Sequence, residues 1–196
     1  MTLSSKTSRR RLSPELRRAE ITQVASALLA EKGYWGLTMA DVAKSAGLTV
    51  QGVLHYFSSK DELMLDVLAR RDEADYRLMV PSDHQVRDIH EFLQIIGKLV
   101  NLNGQRRELI QLYTVLAAES LSPTHPAHEF FNNRFVLGVQ SFAALAYSWH
   151  ENPEQLGLEM LCALDGLQIN WLRDPSLNLE TMWKGWASTY FAGRLA

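Results

Sequence analysis

The sequence predicts an all-α protein of about nine helices, with a small N-terminal three-helix unit followed by a larger helical bundle. Three observations predict it. Apolar residues recur at helical spacing, and no stretch alternates long enough to propose a strand. Breaks fall at helix-length intervals, at Gly33, Gly47, Pro81, Gly104, Pro123, Pro153 and Pro175. Hydroxyl side chains stand where helices would begin, at Ser13, Thr38, Thr49 and Ser59.

Ser13-Pro14 opens the first helix, Ser as N-cap and Pro at the first helical position. It places Ile21, Val24, Leu28 and Leu29 on one face and stops at Gly33. Thr38 caps a short second helix, with Asp41 completing what is close to a capping box. Ala46-Gly47-Leu48 breaks it, and Thr49 starts a third helix running to about Tyr56. Ser59 and Glu62 form an S-x-x-E box that opens a fourth helix reaching about Met79. Later punctuation predicts helices over about 84–102, 105–120, 125–151, 154–173 and 178–193.

Of the 196 residues, 46% are hydrophobic and 21% charged, which suits a globular chain with a substantial core. The single cysteine, Cys162, excludes an intramolecular disulfide and suggests a reducing compartment. It falls in a core-like helix, where a thiol is expected to be inert. The first residues are basic without an apolar run behind them, unlike a signal peptide. No uninterrupted apolar run approaches the roughly 18 residues of a membrane helix. A cytoplasmic protein with no membrane partner is expected.

The net charge of −2 is unevenly spread. Residues 1–60 hold nine Lys or Arg against four acids, and residues 61–196 hold eleven against eighteen. Such a split suggests a polyanion met at the N-terminal end. A charged tail that only aids solubility is the plain alternative.

Residues 38–57 have the proportions of a helix-turn-helix. Val42, Ala43, Leu48, Val53 and Phe57 would face each other and the first helix, leaving Thr49, Val50, Gln51, Gly52, His55 and Tyr56 outward. A recognition helix offers its N-terminal residues to base edges in the major groove. Gln51 could pair bidentately with adenine, and Val50 could pack on a thymine methyl. Gly52 costs about 1 kcal/mol against Ala in a helix interior, which a close approach of backbone to DNA would offset. His55, Tyr56 and Lys60 would reach phosphates, and Thr38 stands at a helix N-terminus that favours one. Arg9, Arg10, Arg11, Arg17 and Arg18 would add general attraction. A helical corner with merely solvated polar residues is the competing interpretation.

"TMADVAKSAGLTVQGVLHYFSSKDEL" resembles the N-terminal signature of the TetR (tetracycline repressor) family of bacterial transcriptional regulators. The resemblance covers residues 13–70: a capped first helix, the "GYWGLTM" link, A-G-hydrophobic-Thr at the turn, and F-x-x-K-x-x-L after the recognition helix. One departure is Leu54, where many members carry a Tyr that often touches DNA. "LAAESLSPTHPAHEFF" and "ALDGLQINWLRDP" resemble the regulatory domains of a subset of members. The resemblance implies a flexible basic arm over 1–12, a DNA-binding domain over 13–60, and a ligand-binding and dimerisation domain over 61–196. It implies a ligand-responsive regulator, a repressor in most cases, that is not an enzyme. Such a protein binds double-stranded DNA at a palindromic operator as a homodimer and is released by a small-molecule effector.

In this family the last two helices build a four-helix dimer interface. Candidates here are Leu161, Leu164, Ile169, Met182, Trp183, Trp186 and Tyr190. The helix at 154–173 is apolar on more than one side, so both sides are expected to be buried. Polar groups within apolar stretches nominate an effector pocket from Gln94, Tyr113, Glu119, Asn133, Asp165 and Gln168, walled by Phe92, Phe130 and Trp171. Helix caps and satisfied core side chains would look the same. His125 and His128 share a helix face, but two His with one carboxylate do not close a metal site, and no cofactor is expected. The rivals from other classes are a helical-bundle metalloprotein or enzyme using these histidines, and a sequence-indifferent DNA-coating protein.

Overall fold

The computed structural model describes residues 13–79 and 86–193. The arm at 1–12 with Arg9, Arg10 and Arg11, and the Pro81 break, lie outside the described residues. Within them the chain forms nine helices and no strand: α1 Pro14–Gly36, α2 Met39–Ala46, α3 Val50–Leu54, α4 Lys60–Met79, α5 Ile89–Gly104, α6 Arg107–Glu119, α7 His128–Ala144, α8 Pro153–Arg173 and α9 Leu179–Tyr190. None is long and apolar enough to cross a membrane.

Local chemistry explains the starts. The Ser13 hydroxyl accepts the Leu16 N–H at 3.3 Å, with Pro14 in the first turn. Thr38 and Asp41 complete a reciprocal capping box on α2, and Gly47 ends that helix in the left-handed region at φ 63°. At the start of α4 the expected box is half realised. Ser59 accepts the Glu62 N–H at 3.0 Å, but the Glu62 carboxylate turns to the Ser58 amide and hydroxyl, each at 2.8 Å. Gly33 breaks the regular run of α1 at φ 68°, and a final turn carries the chain on to Leu37.

The seventh helix ends earlier than the punctuation predicts. α7 stops at Ala144, well short of Pro153, because residues 145–150 fold into turns held by packing. The Ser148 hydroxyl donates to the Val86 carbonyl, and the Trp149 ring packs edge-on to Phe92 at 5.2 Å. No local residue announces that stop.

Two cores result. The first joins Ile21, Ala25 and Leu29 of α1 to Val42, Val53, Phe57, Leu63, Met64, Leu112 and Leu116, so it runs continuously from α1–α3 into α4 and α6. It crosses residue 60, where the sequence suggests a domain boundary. The second gathers Phe92, Ile96, Leu156, Met160, Leu164, Trp171, Trp183 and Phe191 from α5, α8 and α9. At about 25 cal/mol per Å² of apolar surface, fully buried Phe57 and Phe92 each contribute about 2–3 kcal/mol.

Candidate nucleic-acid interface

α2 and α3 form a tight corner on α1. Val42, Ala43, Val53 and Phe57 are buried and Leu48 half-buried, as the apolar pattern requires. The opposite face is open. Thr49, Val50, Gln51, Leu54 and His55 are exposed, and Gly52 and Tyr56 half-buried. Val50 and Leu54, one helical turn apart, put two apolar side chains on that face at 42% and 36% exposure. Leu54, the position departing from the family pattern, therefore stands beside Gln51 and His55. Thr49 caps α3 by accepting the Gly52 N–H at 3.0 Å. A methyl at Gly52 would sit 3.2 Å from that hydroxyl, so the glycine leaves room for its own cap whatever else approaches it.

Several groups expected to contact phosphate or to attract DNA have partners within the protein. The Lys60 ammonium donates to the carbonyls of Tyr34 at 2.9 Å and Leu37 at 3.0 Å, and lies 4.1 Å from the centroid of the Tyr34 ring. It closes the end of α1 instead of standing free for DNA. Arg18 lies over Phe57 at 4.0 Å and donates to the Tyr56 carbonyl at 2.7 Å and Asp66 at 2.8 Å. Arg17 bonds Glu20 at 2.5 Å. The Thr38 hydroxyl accepts the Asp41 N–H and donates to the Asp41 carboxylate at 2.7 Å. That carboxylate already occupies the α2 N-terminus. Its pKa falls to about 2, first through the Thr38 hydroxyl and then through Lys32 at 3.0 Å. A second anion would meet negative charge there. Lys44, which the sequence reading passed over, stays exposed in the last turn of α2.

The nine effector candidates do not converge. Phe92 and Trp171 belong to the second core, while Tyr113 and Phe130 pack on the first. Gln94 and Asn133 are exposed and Gln168 half-buried. Tyr113 donates to the Leu68 carbonyl at 3.1 Å, with the Arg134 guanidinium 4.6 Å from its ring centroid. Asp165 is exposed as a residue, yet desolvation of its carboxyl pushes its pKa up while Arg134 pulls it back. Glu119 points elsewhere: it accepts the Tyr34 amide at 2.6 Å and belongs to the joint between α6 and α1. A groove of about 490 Å³ between α7 and α8, lined by Phe135, Val136, Val139, Gln140, Glu154 and Leu158 among others, includes none of the nine.

Two of the dimer candidates are corrected. Leu164 and Trp183 are buried in the chain's own second core. A helix apolar on several sides does not announce which side meets its own chain. Leu161, Met182 and Trp186 are half-buried, and Ile169 and Tyr190 exposed. Trp186 stacks between Trp183 at 5.5 Å and Tyr190 at 4.6 Å. Cys162 is exposed, against the core position expected of it.

His125 and His128 turn to separate partners. His125 Nδ1 accepts the Ala127 N–H at 3.1 Å, while His128 pairs with the Ser120 carbonyl at 2.7 Å and Asn132 at 2.9 Å. Among the described residues no group of three or more His, Cys, Asp or Glu could hold a metal ion.

Comparison with known proteins places the corner in context. Residues 21–67 match the family described as bacterial regulatory proteins, tetR family. The HTH-type transcriptional repressor KstR2 of Mycolicibacterium smegmatis is 36% identical over 63 residues, which is 32% of this chain and only 30% of that repressor. The HTH-type transcriptional regulator PksA of Bacillus subtilis is 27% identical over 172 residues, 82% of this chain and 81% of that one. A transcriptional regulator from Rhodococcus sp. Rha1 shares the fold, with a TM-score of 0.71 at 22% identity over 93% of this chain and 97% of its own. The matched profile spans the very helices that build the corner, so over residues 21–67 this chain is similar to the tetR family of bacterial regulatory proteins.

Proposed function

We propose that this regulator is a repressor that reads a palindromic DNA operator as a twofold dimer and leaves it when a small molecule binds its helical body. The exposed face of α3, Val50, Gln51, Leu54 and His55 on an otherwise buried corner, carries the proposal. Gln51 supplies two hydrogen bonds in the pattern adenine offers, and Val50 and Leu54 supply methyl groups for thymine. His55 and Tyr56 stand at the end of α3 for phosphate contact, with Lys44 a further cation on α2. One such face reads a few base pairs, so affinity and selectivity need a second copy.

The dimer contact would use the outer faces of α8 and α9. Ile169 and Tyr190 are exposed there, with Met182 and Trp186 half-covered. A twofold arrangement puts the same residues on both sides of the axis and makes the operator palindromic. The neighbourhood of Tyr113, Arg134 and Asp165 supports an effector site in the body, since aromatic, cationic and acidic groups meet there. A ligand that binds two poses of the body unequally would shift their populations, and only that difference would move the DNA-reading corners.

Selection from a pool of random duplexes tests the proposal. Enrichment of one inverted repeat supports it. Recovery of duplexes without a common sequence supports a DNA-coating protein instead.

A further inference from the structure

We propose that Glu119 is the positioning residue that sets the DNA-reading corner from the helical body, and that an uncharged His125 keeps this latch closed until a proton enters the joint. The inference rests on the DNA-reading face proposed above and adds a regulation to it.

The latch begins where α1 loses its regular form. At Gly33, φ 68°, the chain turns so that the Tyr34 amide donates to Glu119 Oε2 at 2.6 Å across 85 residues of sequence. A methyl group at Gly33 would overlap the Glu119 carboxylate, so the carboxylate seats directly on the turn. Tyr34 then carries the position onward. Its hydroxyl donates to Asp61 at 2.5 Å, and its carbonyl, with that of Leu37, holds Lys60. Leu37 precedes Thr38, the cap of α2. The last residue of α6 thus touches the segment that launches the DNA-reading corner.

His125 lies beside that contact with its side chain fully buried. Its ring meets Tyr34 and Trp35 edge-on at 4.8 and 5.7 Å. Around it stand Tyr34 and Trp35 of α1, Lys60 and Asp61 of α4, Glu119 of α6, and the Ala127 amide of its own connector. Nδ1 accepts the Ala127 N–H, so the hydrogen of the neutral ring sits on Nε2. That buried Nε2 has no hydrogen-bond partner and lies 3.9 Å from Glu119 Oε2.

A proton entering the ring has only Nδ1 to occupy. It displaces the Ala127 amide from the start of α7 and leaves a cation facing Glu119. A charged N–H···O⁻ bond closes to about 2.8 Å, so the carboxylate is drawn about 1 Å toward the ring and off the Tyr34 amide. Burial lowers the His125 pKa below its ordinary 6.5, with Glu119 and Asp61 opposing and Lys60 assisting. The latch is therefore closed at neutral pH and opens only on the acid side of the ordinary imidazole value.

The test uses the full-length protein and the duplex it selects, with Glu119→Ala, Glu119→Gln and His125→Asn. The Asn oxygen can accept the Ala127 N–H without ever taking a proton. In the wild type the protection of the Tyr34 amide against hydrogen exchange falls about tenfold as pH is lowered from about 7.5 through the His125 transition. In His125→Asn it stays constant, and in Glu119→Ala it is low throughout. Duplex affinity follows: the wild type loses about threefold more than His125→Asn over the same range, so pH effects common to both proteins cancel. Glu119→Gln keeps an acceptor for the Tyr34 amide but loses the pH response, and it carries the comparison should His125→Asn fail to fold. Equal pH responses in wild type and variants, or unaltered Tyr34 exchange in Glu119→Ala, overturn the latch alone. Failure of the wild type to select any duplex overturns the DNA-reading face and the coupling with it, whatever the exchange data show.

Discussion

The Lys60 ammonium lies 2.9 Å from the Tyr34 carbonyl, and this contact binds the start of α4 to the end of α1. Half-buried and shared with the Leu37 carbonyl, it satisfies acceptors that the broken end of α1 leaves over. Replacing Lys60 by Met keeps the stem and removes the donors. Hydrogen bonds to charged groups contribute about 1.5–3 kcal/mol, and Lys60→Met should lower unfolding stability by an amount in that range, read from the urea midpoint. The salt dependence of DNA binding should be unchanged by it, which separates this role from a phosphate contact.

Asp41 gives a pH-dependent test of the corner itself. Its folded pKa of about 2 lies below the ordinary 3.8, chiefly through the Thr38 hydroxyl. A depressed carboxyl stabilises above its unfolded pKa and loses that contribution as pH falls through its folded value. Wild type should therefore be more stable than Asp41→Asn near neutrality, and the gap should close between pH 3.8 and about 2. A gap that persists at the acid end would show that charge is not what the cap uses.

Gly157 controls the seam between α7 and α8. A methyl there would meet the Val139 carbonyl and stand 2.9 Å from the Ala143 amide, both backbone atoms that cannot step aside. Overpacking of a close contact costs about 1–3 kcal/mol. Gly157→Ala should destabilise by that much or more in thermal unfolding although Ala is the better helix former. A neutral or stabilising result would mean that α8 stands further from α7 than described.

Helix caps were legible because their partners are three residues apart. Thr38 with Asp41 is visible in four letters, and so is the buried and exposed partition of α3 once Val42, Val53 and Phe57 are seen as a cluster. The joint was not legible, because its partners are distant: Lys60 is 23 residues from Leu37, Arg18 is 48 from Asp66, and Glu119 is 85 from Tyr34. In sequence a charged side chain near a recognition helix looks the same whether it faces phosphate or a carbonyl of its own chain. Glu119 resembled a pocket carboxylate for that reason. Leu164 and Trp183 misled differently, since α8 and α9 are apolar toward both their own core and the expected partner. The early stop of α7 depends on Trp149 packing against Phe92, a contact that leaves no local mark.

The exposed face of α3 is where the functional reading is most open to refutation. Gln51 is exposed there, as are Val50 and Leu54. The measurement is competition between the selected duplex and a panel carrying every single base change, with wild type and Gln51→Ala. Wild type should lose about 1–3 kcal/mol at one position per half-site that Gln51→Ala no longer distinguishes, with the other positions unaffected. An unaltered preference profile in Gln51→Ala, or equal wild-type affinity for scrambled duplex, would contradict the assignment of α3 as the helix that reads DNA.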